Sequence, residues 1–491
     1  MALGEVTVNR EFEQLLDKVR REGGEIRSDS REVGKGDIFV AVPGVNADGA
    51  RFIPPAVEAG ASTIVCLPGG AEAEAARAAG CTVVHHDDPR EALWRLAEAR
   101  WHTGSLPLRV LGVTGTNGKT TSAYLLEHLF TATGHKVGVL GTVSYRWPGH
   151  CEAAPLTTPD PLRVHAMLAA MAQAGVDIAV MEVSSHALEQ QRVCGVPFAG
   201  ASFSNLTQDH LDFHQDMESY FRAKSRLFLE LPRADKVMAI NGDDPWGRRL
   251  LELCPRALSF GLQKALPQQR HLWGELLSAG TDGCHLRMHL DGQQWELRSP
   301  LVGAFNASNL LSVQALALEL GLMPDDLRHL EDFHGVCGRL ERVPNARKLH
   351  VFVDYAHTPD ALVNVLKALR GAGFKRIVTV FGCGGNRDRT KRPIMGEAVA
   401  RYSDVAVLTS DNPRFEDPED ILKDVLPGLR EAREVVVEVD RRKATARAVE
   451  MLGPDDALLI AGKGHEDYQI IQGTKHHYSD QEVVRELLGC A

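Results

Sequence analysis

The chain has 491 residues, 44% hydrophobic and 24% charged, with a net charge of −10. That length exceeds one ordinary core and predicts about two to four globular domains, while the acidic balance excludes a general nucleic-acid binder, whose phosphate contacts need a basic face. Nine scattered cysteines without CxxC or zinc-type spacing, no basic-then-apolar leader and no apolar run of bilayer length predict a reduced, soluble, cytoplasmic protein without membrane insertion.

In chain order, short apolar runs ("DIFVAVPG", "ASTIVCLPG", "CTVVHHDD") alternate first with helix-like segments ("FIPPAVEAG", "AEAEAARAAG"). This predicts a small α/β unit over residues 1–88. The helix "REALWRLAEARW" then leads to "LPLRVLGVTGTNGKTTSAYLLEHLF", which reads as strand, glycine loop and helix. Buried strands "VDIAVMEVSS", "FAGASFSNL" and "KVMAINGDD" follow, each closing on polar residues. Between about residues 270 and 300 the alternating pattern "CHLRMHLDGQQWELRSP" predicts a small antiparallel sheet appended to a central domain of residues 89–338. "GAFNASNLLSVQALALEL" is a helix entry. From 339 to 491 the strands "KLHVFVDYAHT", "RIVTVFGCGG", "DVAVLTSDNP", "EVVVEV" and "ALLIAGKGHE" alternate with helices. This is the pattern of a doubly wound, Rossmann-like parallel sheet whose polar clusters follow its strands. The expected fold is therefore α/β in three domains.

"GVTGTNGKTT" carries the first chemistry. Gly115, Thr116, Asn117 and Gly118 let backbone N–H groups curl round phosphate oxygens, Lys119 supplies positive charge, and the Thr120 hydroxyl is placed to ligate Mg²⁺. The strict pattern wants glycine at 113, where Val113 stands, so this is a variant loop turned by Gly115 and Gly118. Glu182 ends the strand "DIAVMEVSSHAL", either holding Mg²⁺ beside that loop or facing water as a strand-end acid. His210 in "NLTQDHLDFH" is a second metal ligand or a packed histidine. No Asn-Lys dipeptide occurs, which argues against a guanine-reading switch.

These motifs occur together with "YFRAKSRLF", "GAFNASNLL", "GVCGRLE", "DYAHTPDAL", "FGCGGNRDRTKRP", "SDNPR" and "AGKGHEDYQ", and in this order they resemble the Mur ligases across essentially the whole chain. The resemblance implies an ATP-dependent amide ligase of peptidoglycan precursor synthesis, of the kind adding meso-2,6-diaminopimelate. It would activate the D-glutamate carboxylate of UDP-N-acetylmuramoyl-L-alanyl-D-glutamate as an acyl phosphate. Glu182 and His210 then match metal ligands, and Lys224 matches a lysine carried as a CO₂-derived carbamate, which requires a depressed amine pKa. Read alone, Lys224 is a solvated helix lysine. Gly115 to Thr121, Asn306, Arg339 and Asp354 match the ATP side. Thr157, Thr158, Ser184, Gln190 and Arg192 match contacts to the nucleotide-sugar peptide, with Ser28, Ser30, Val45, Asn46 and Ala47 on its UDP end; "SDSREVGKGD" alone is also compatible with a plain turn.

Three C-terminal loops match the diaminopimelate contacts: Arg387, then Asp411, Asn412, Pro413 and Arg414, then Gly462 and Glu466. On its own Arg414 reads as a solvated loop arginine. Diaminopimelate differs from lysine by a second carboxylate-bearing head, which Arg414 would take in a bidentate pair while Glu466 takes the ammonium. The alternatives are a lysine-adding ligase, a folylpolyglutamate synthetase and a P-loop ATPase without ligase activity. The expected partners are small molecules, the expected state is a monomer, and domain closure is expected to bring the substrates together.

Overall fold

A computed structural model of the chain describes residues 9–44, 48–264 and 269–489. It begins with α1 (Arg10–Glu22), capped by the Asn9 side chain, which accepts from Phe12 N. Phe12, Leu15, Leu16 and Val19 line one helical face and are buried. The strands β1 (Ile26–Arg27), β2 (Ile38–Val40), β3 (Thr63–Cys66) and β4 (Thr82–His85) form a parallel four-stranded sheet in that order, with α2 (Ile53–Glu58) and α3 (Ala71–Ala78) between them. Two apolar clusters cover its faces, one with α1 and one with α2 and α3. Next, α4 (Pro89–Trp101) is capped by Asp88 and opened by a proline that needs no N–H.

The next sheet contains β5 (Arg109–Thr114), α5 (Lys119–Ala132), β6 (Val137–Leu140), β7 (Ser144–Trp147), β8 (His150–Ala153), α6 (Pro161–Gln173), β9 (Ile178–Glu182), α7 (Ser185–Glu189) and β10 (Phe198–Phe203). It continues through α8 (Leu211–His214), α9 (Met217–Leu229), β11 (Pro232–Asn241), α10 (Pro245–Leu253) and β12 (Leu258–Gly261). Its order is β12-β11-β10-β5-β9-β6-β7-β8. The strands from β12 to β6 pair in parallel, and β7 and β8 add an antiparallel hairpin. β5 and β9 are buried almost throughout, as strands with helices on both faces must be. They are neighbours, with Val113 opposite Glu182, so the loops after them open side by side.

The meander β13 (His271–Gly280), β14 (Gly283–Leu290) and β15 (Gln293–Ser299) is antiparallel. Alternate residues of β14 are buried, as the sequence pattern predicts. After α11 (Ala304–Glu319) come β16 (Glu341–Arg342), β17 (His350–Asp354), α12 (Pro359–Gly371), β18 (Arg376–Phe381), α13 (Lys391–Tyr402), β19 (Val405–Leu408), α14 (Pro418–Val425), β20 (Val435–Val437), α15 (Arg441–Glu450), β21 (Asp456–Ala461), a hairpin β22 (Tyr468–Ile471) and β23 (Thr474–His477), and α16 (Asp480–Leu488). The six-stranded sheet has the order β16-β17-β21-β18-β19-β20. Ile377 and Phe381 pack on one face and Val378 and Val380 on the other, so the sheet is covered on both sides. Each fully buried Val or Leu there contributes about 1.5–3 kcal/mol.

The chain divides into two compact units, Met1–Phe260 with Ser312–Leu322 and Gly261–Leu311 with Met323–Ala491. In the second unit Arg441 and Asp480 are both fully buried. Arg441 donates from Nε and Nη2 to the two carboxylate oxygens at 2.9 and 2.8 Å, and from Nη2 to Ala461 O at 2.9 Å.

Candidate active site

Thr114 ends β5 and the chain turns into the phosphate loop. Gly115 has φ 149° and Gly118 φ 89°, conformations that favour glycine. A Cβ at 115 would run into Ser204 Oγ, so residue type is dictated there by close approach. The loop is held from the β10 side: Thr116 N donates to Asn205 O and Asn117 N to Asn205 Oδ1, each at 2.9 Å, and Ser204 Oγ donates to Asn117 O at 2.6 Å. Lys119 Nζ donates to Gly115 O and Thr116 O at 2.9 Å each, which keeps its charge inside the loop. Thr121 stands half-buried in the first turn of α5.

Glu182 does not face water. It is fully buried and accepts from Thr120 Oγ1, Thr142 N and Thr142 Oγ1, each at 2.9 Å. Thr142 follows β6, and at neighbouring Gly141 a Cβ would collide with Glu182 Oε1. The residues expected to hold the nucleotide-sugar peptide gather behind it. Thr157 Oγ1 lies 3.2 Å from Thr142 Oγ1, and Thr158 Oγ1 donates to Glu182 O at 2.7 Å and accepts from Ser184 N at 3.1 Å. Arg192 donates to Gln190 Oε1 from Nε and Nη2 at 3.1 and 2.7 Å, and to Thr158 O at 3.1 Å. Among the described residues no hydrogen bond ties Ser28 or Ser30 into this cluster; Ser28 follows β1 directly and Ser30 opens a short 3-10 turn (Ser30–Glu32), and Val45, Asn46 and Ala47 fall outside the described residues.

Lys224 is likewise not solvated. It is 1% exposed, donates from Nζ to Gly115 O at 2.8 Å, and sits 4.8 Å from the centre of the Tyr220 ring. Burial, and then the Lys119 charge, hold its amine well below the ordinary lysine value, with Asp209 opposing. Tyr220 Oη is 3.2 Å from Thr116 Oγ1, and its ring meets His210 edge-on at 6.1 Å between centroids. His210 also packs edge-on against His186 at 4.8 Å and pairs with Asp209 at 3.4 Å.

A hard cation fits this donor set. Thr120 offers a hydroxyl and Glu182 a buried carboxylate bonded only to neutral donors in the contacts above, and such oxygen ligands suit Mg²⁺. Among the described residues no group of three or more His, Cys, Asp or Glu is gathered as a metal cage, and Mg²⁺ is ordinarily held by one or two carboxylates together with substrate phosphates.

In the second unit, Asp354 accepts from Leu340 N at 2.6 Å and Ala356 N at 2.7 Å. Burial raises its carboxyl above the ordinary range, with Arg339 opposing. Arg339 lies over the Tyr355 ring at 5.0 Å, and among the described residues its buried Nε has no hydrogen-bond partner. Asn306 is engaged within α11 and its entry, donating to Val302 O at 2.9 Å and accepting from Asn309 at 3.1 Å.

The loops after β18, β19 and β21 converge, as they must at the C-terminal edge of adjacent parallel strands. Arg414 is half-buried with φ 55° and donates from Nη1 to Gly385 O at 2.8 Å, so it is fixed by the β18 loop rather than loose in solvent. Asn412 Nδ2 donates to Glu466 Oε2 at 2.9 Å. Asp411, Asn412 and Pro413 are buried, Arg387 is exposed, and Gly462 at φ 115° donates its N–H to Asp354 O at 3.0 Å. Burial works to raise the Asp411 carboxyl, but Lys463 and Arg441 outweigh it and hold the group below its ordinary value.

Sequence profiles place this architecture. The Mur ligase family catalytic domain matches residues 24–101, the Mur ligase middle domain 113–317, and the Mur ligase glutamate ligase domain 338–464. A Lawsonia intracellularis protein named UDP-N-acetylmuramoyl-L-alanyl-D-glutamate–2,6-diaminopimelate ligase is 56% identical over 94% of this chain and 95% of its own. The chain belongs to the Mur ligase family. A solved structure of a ligase with that same name is 32% identical, covers 94% of both chains and superposes with a TM-score of 0.68. Mycobacterium tuberculosis folylpolyglutamate synthase complexed with ADP, at 20% identity and TM-score 0.58 over 74% of this chain and 90% of its own, shares the fold. In this Mur ligase, sequence reasoning passed over Thr142 and Lys463. "VLGTVS" repeats the strand-then-glycine signal of the phosphate loop, and Lys463 stands inside "AGKGHE" between two residues that were singled out.

Proposed function

We propose that this chain is an ATP-dependent amide ligase that adds meso-2,6-diaminopimelate to UDP-N-acetylmuramoyl-L-alanyl-D-glutamate, releasing ADP and phosphate. The observation that carries the reading is the converging cluster of Arg387, Asp411, Asn412, Arg414, Gly462 and Glu466. It presents cations and carboxylates together, as a zwitterionic amino-acid head requires, and the relatives compared above bear names with diaminopimelate in them. Three functional domains, of residues 1–88, 89–338 and 339–491, are part of the proposal and parallel the three profile matches.

Two anions, the acceptor carboxylate and the γ-phosphate, must meet to form the acyl phosphate. The loop from Gly115 to Thr121 would bind the phosphates, with Lys119 neutralising charge. Thr157, Thr158, Ser184, Gln190 and Arg192 would orient the peptide, Ser28, Ser30, Val45, Asn46 and Ala47 its uridine end, and Asn306, Arg339 and Asp354 the nucleotide. Thr120, Glu182, His210 and a carbamate on Lys224 would hold Mg²⁺, which when bound supplies further neutralisation of phosphate charge. The buried, low-pKa amine of Lys224 supports carbamate formation, since the neutral amine is the form that captures CO₂. In the second step the free amine of the diamino acid displaces phosphate from the acyl group, and Glu466 and Arg414 fix its far end. The chain would act on small molecules, as a monomer in the cytoplasm; no helix among the described residues is long and apolar enough to cross a membrane.

The test is coupled phosphate release. It should stay at background with ATP and either substrate alone and rise only with both. L-lysine should be used on the order of a hundred- to a thousandfold less well, because it leaves Arg414 without its carboxylate, and Arg414→Ala should erase that preference. Equal use of lysine by the wild type would point to the lysine-adding alternative, and phosphate release without an amino acid would point to a plain ATPase.

A further inference from the structure

Lys463 directly follows the first glycine after β21 and is fully buried. A lysine so placed is costly unless its charge is paired and its hydrogens find acceptors, and here the charge is paired and two hydrogen bonds are made. Nζ lies 3.1 Å from Asp411 Oδ1 and 3.9 Å from Glu466 Oε2. It donates to Asn412 Oδ1 at 3.2 Å and to Tyr468 O at 2.7 Å. Asn412 Oδ1 accepts a second donor, Ile470 N, at 2.9 Å. Two donors on one oxygen settle which end of the Asn412 amide faces inward. The Nδ2 end is thereby turned to Glu466 Oε2, 2.9 Å away.

Charge follows the same pattern. Within 4 Å of Nζ, Asp411 and Glu466 bring two negative charges to Lys463's one; Arg441 is balanced by Asp480 and Arg414 is assigned to the far carboxylate of the substrate, so one negative charge is left to meet a substrate ammonium. We infer that Lys463 is a positioning residue for the incoming diamino acid: it neutralises Asp411 and turns the Asn412 amide so that Glu466 is held with its charge available to the far ammonium. Burial, helped by the Asp411 charge, leaves the Glu466 carboxyl above its ordinary value, while the Asn412 amide, Lys463 and Arg414 work to draw it toward the anion. The inference rests on the function proposed above and adds a residue that never touches substrate.

Steady-state kinetics of Lys463→Met with all three substrates provide the test. The KM for diaminopimelate should rise roughly 10- to 100-fold, the effect of losing one hydrogen bond to a charged group, with kcat and the other two KM values within a few fold. Because Lys463 acts through Glu466, Lys463→Met should add little in a Glu466→Gln background. A merely structural lysine would instead depress kcat and shift all three KM values together, and that result overturns the inference, as does an unchanged diaminopimelate KM. Should Lys463→Met not fold, Lys463→Gln, which keeps a donor for Tyr468 O, takes its place under the same criteria; failure of both to fold also overturns it. A wild type unable to use diaminopimelate would fail the proposed function itself, and that outcome is separately visible.

Discussion

Glu182 is where the proposed chemistry of the first unit is most directly tested. Its carboxylate is enclosed by Thr120 and Thr142, and Gly141 leaves room for it. Glu182→Gln keeps the shape and removes the charge, so kcat should fall roughly 10²- to 10³-fold while the urea midpoint stays near wild type, and activity of the wild type should vanish in a Mg²⁺ chelator. Retention of activity within threefold in the variant would remove Glu182 from the reaction. Lys224 supplies a second residue-level test: ¹³C-labelled bicarbonate should give a carbamate resonance in the wild type and none in Lys224→Arg, whose guanidinium stays protonated. The environment of Lys224 was partly legible. Tyr220, Lys224, Leu227 and Phe228 follow helical spacing and are all buried, so periodicity places the lysine on the packed face. Composition alone, which makes a lone lysine a surface residue, pointed the other way. Thr142 as a partner of Glu182, and Asp411 and Asn412 as partners of Lys463, were not legible, because they come from other strand-end loops that only the sheet order makes adjacent.

The hairpin of β22 and β23 is bonded directly to the loop proposed to bind the amino acid. Ile470 N donates to Asn412 Oδ1 and Arg414 N to Ile470 O, each at 2.9 Å, and Gln472 N donates to Arg414 O at 2.6 Å. Its two-residue turn has Gln472 at φ 49° and Gly473 at φ 78°, the positive pair that a tight hairpin requires. A Cβ at Gly473 would also lie 3.0 Å from the Phe415 ring. Gly473→Val should therefore strain the turn by about 1–2 kcal/mol and raise the KM for diaminopimelate roughly 5- to 30-fold, with the KM for ATP unchanged in the same assay; an unchanged diaminopimelate KM would show that the pocket forms without the hairpin. This hairpin and that of β7 and β8 escaped the sequence reading. Both are short and, Tyr145 apart, half-buried or exposed, so neither carries the apolar run that betrayed the long buried strands.

Across the whole chain, the alternation of apolar runs with helical segments sufficed for the α/β architecture, because strands covered on both faces must be apolar throughout. What periodicity cannot convey is buried polarity. His165 illustrates it: fully buried, with Nε2 3.0 Å from Cys194 O and Nδ1 2.7 Å from Thr103 Oγ1. Burial, opposed by the bond to Cys194, pushes its pKa down from 6.5 to about 4. Well above pH 6.5 folded and unfolded chains both hold it neutral. As pH falls toward 4 the unfolded chain binds a proton that the folded one refuses, so stability declines through that window, by on the order of 3 kcal/mol in total. Urea midpoints measured from pH 7 to pH 4.5 should fall more steeply for wild type than for His165→Phe, and parallel slopes would exclude this histidine. The buried pair of Arg441 and Asp480 has a consequence at the far end of the chain. Asp480 opens the last helix, while Arg441 also grips the carbonyl of Ala461, one step before Gly462. Trimming the final dozen residues would strand a guanidinium without its counterion directly beneath the loop proposed to select the amino acid, so a change made for convenience at the tail should surface as a defect in selectivity.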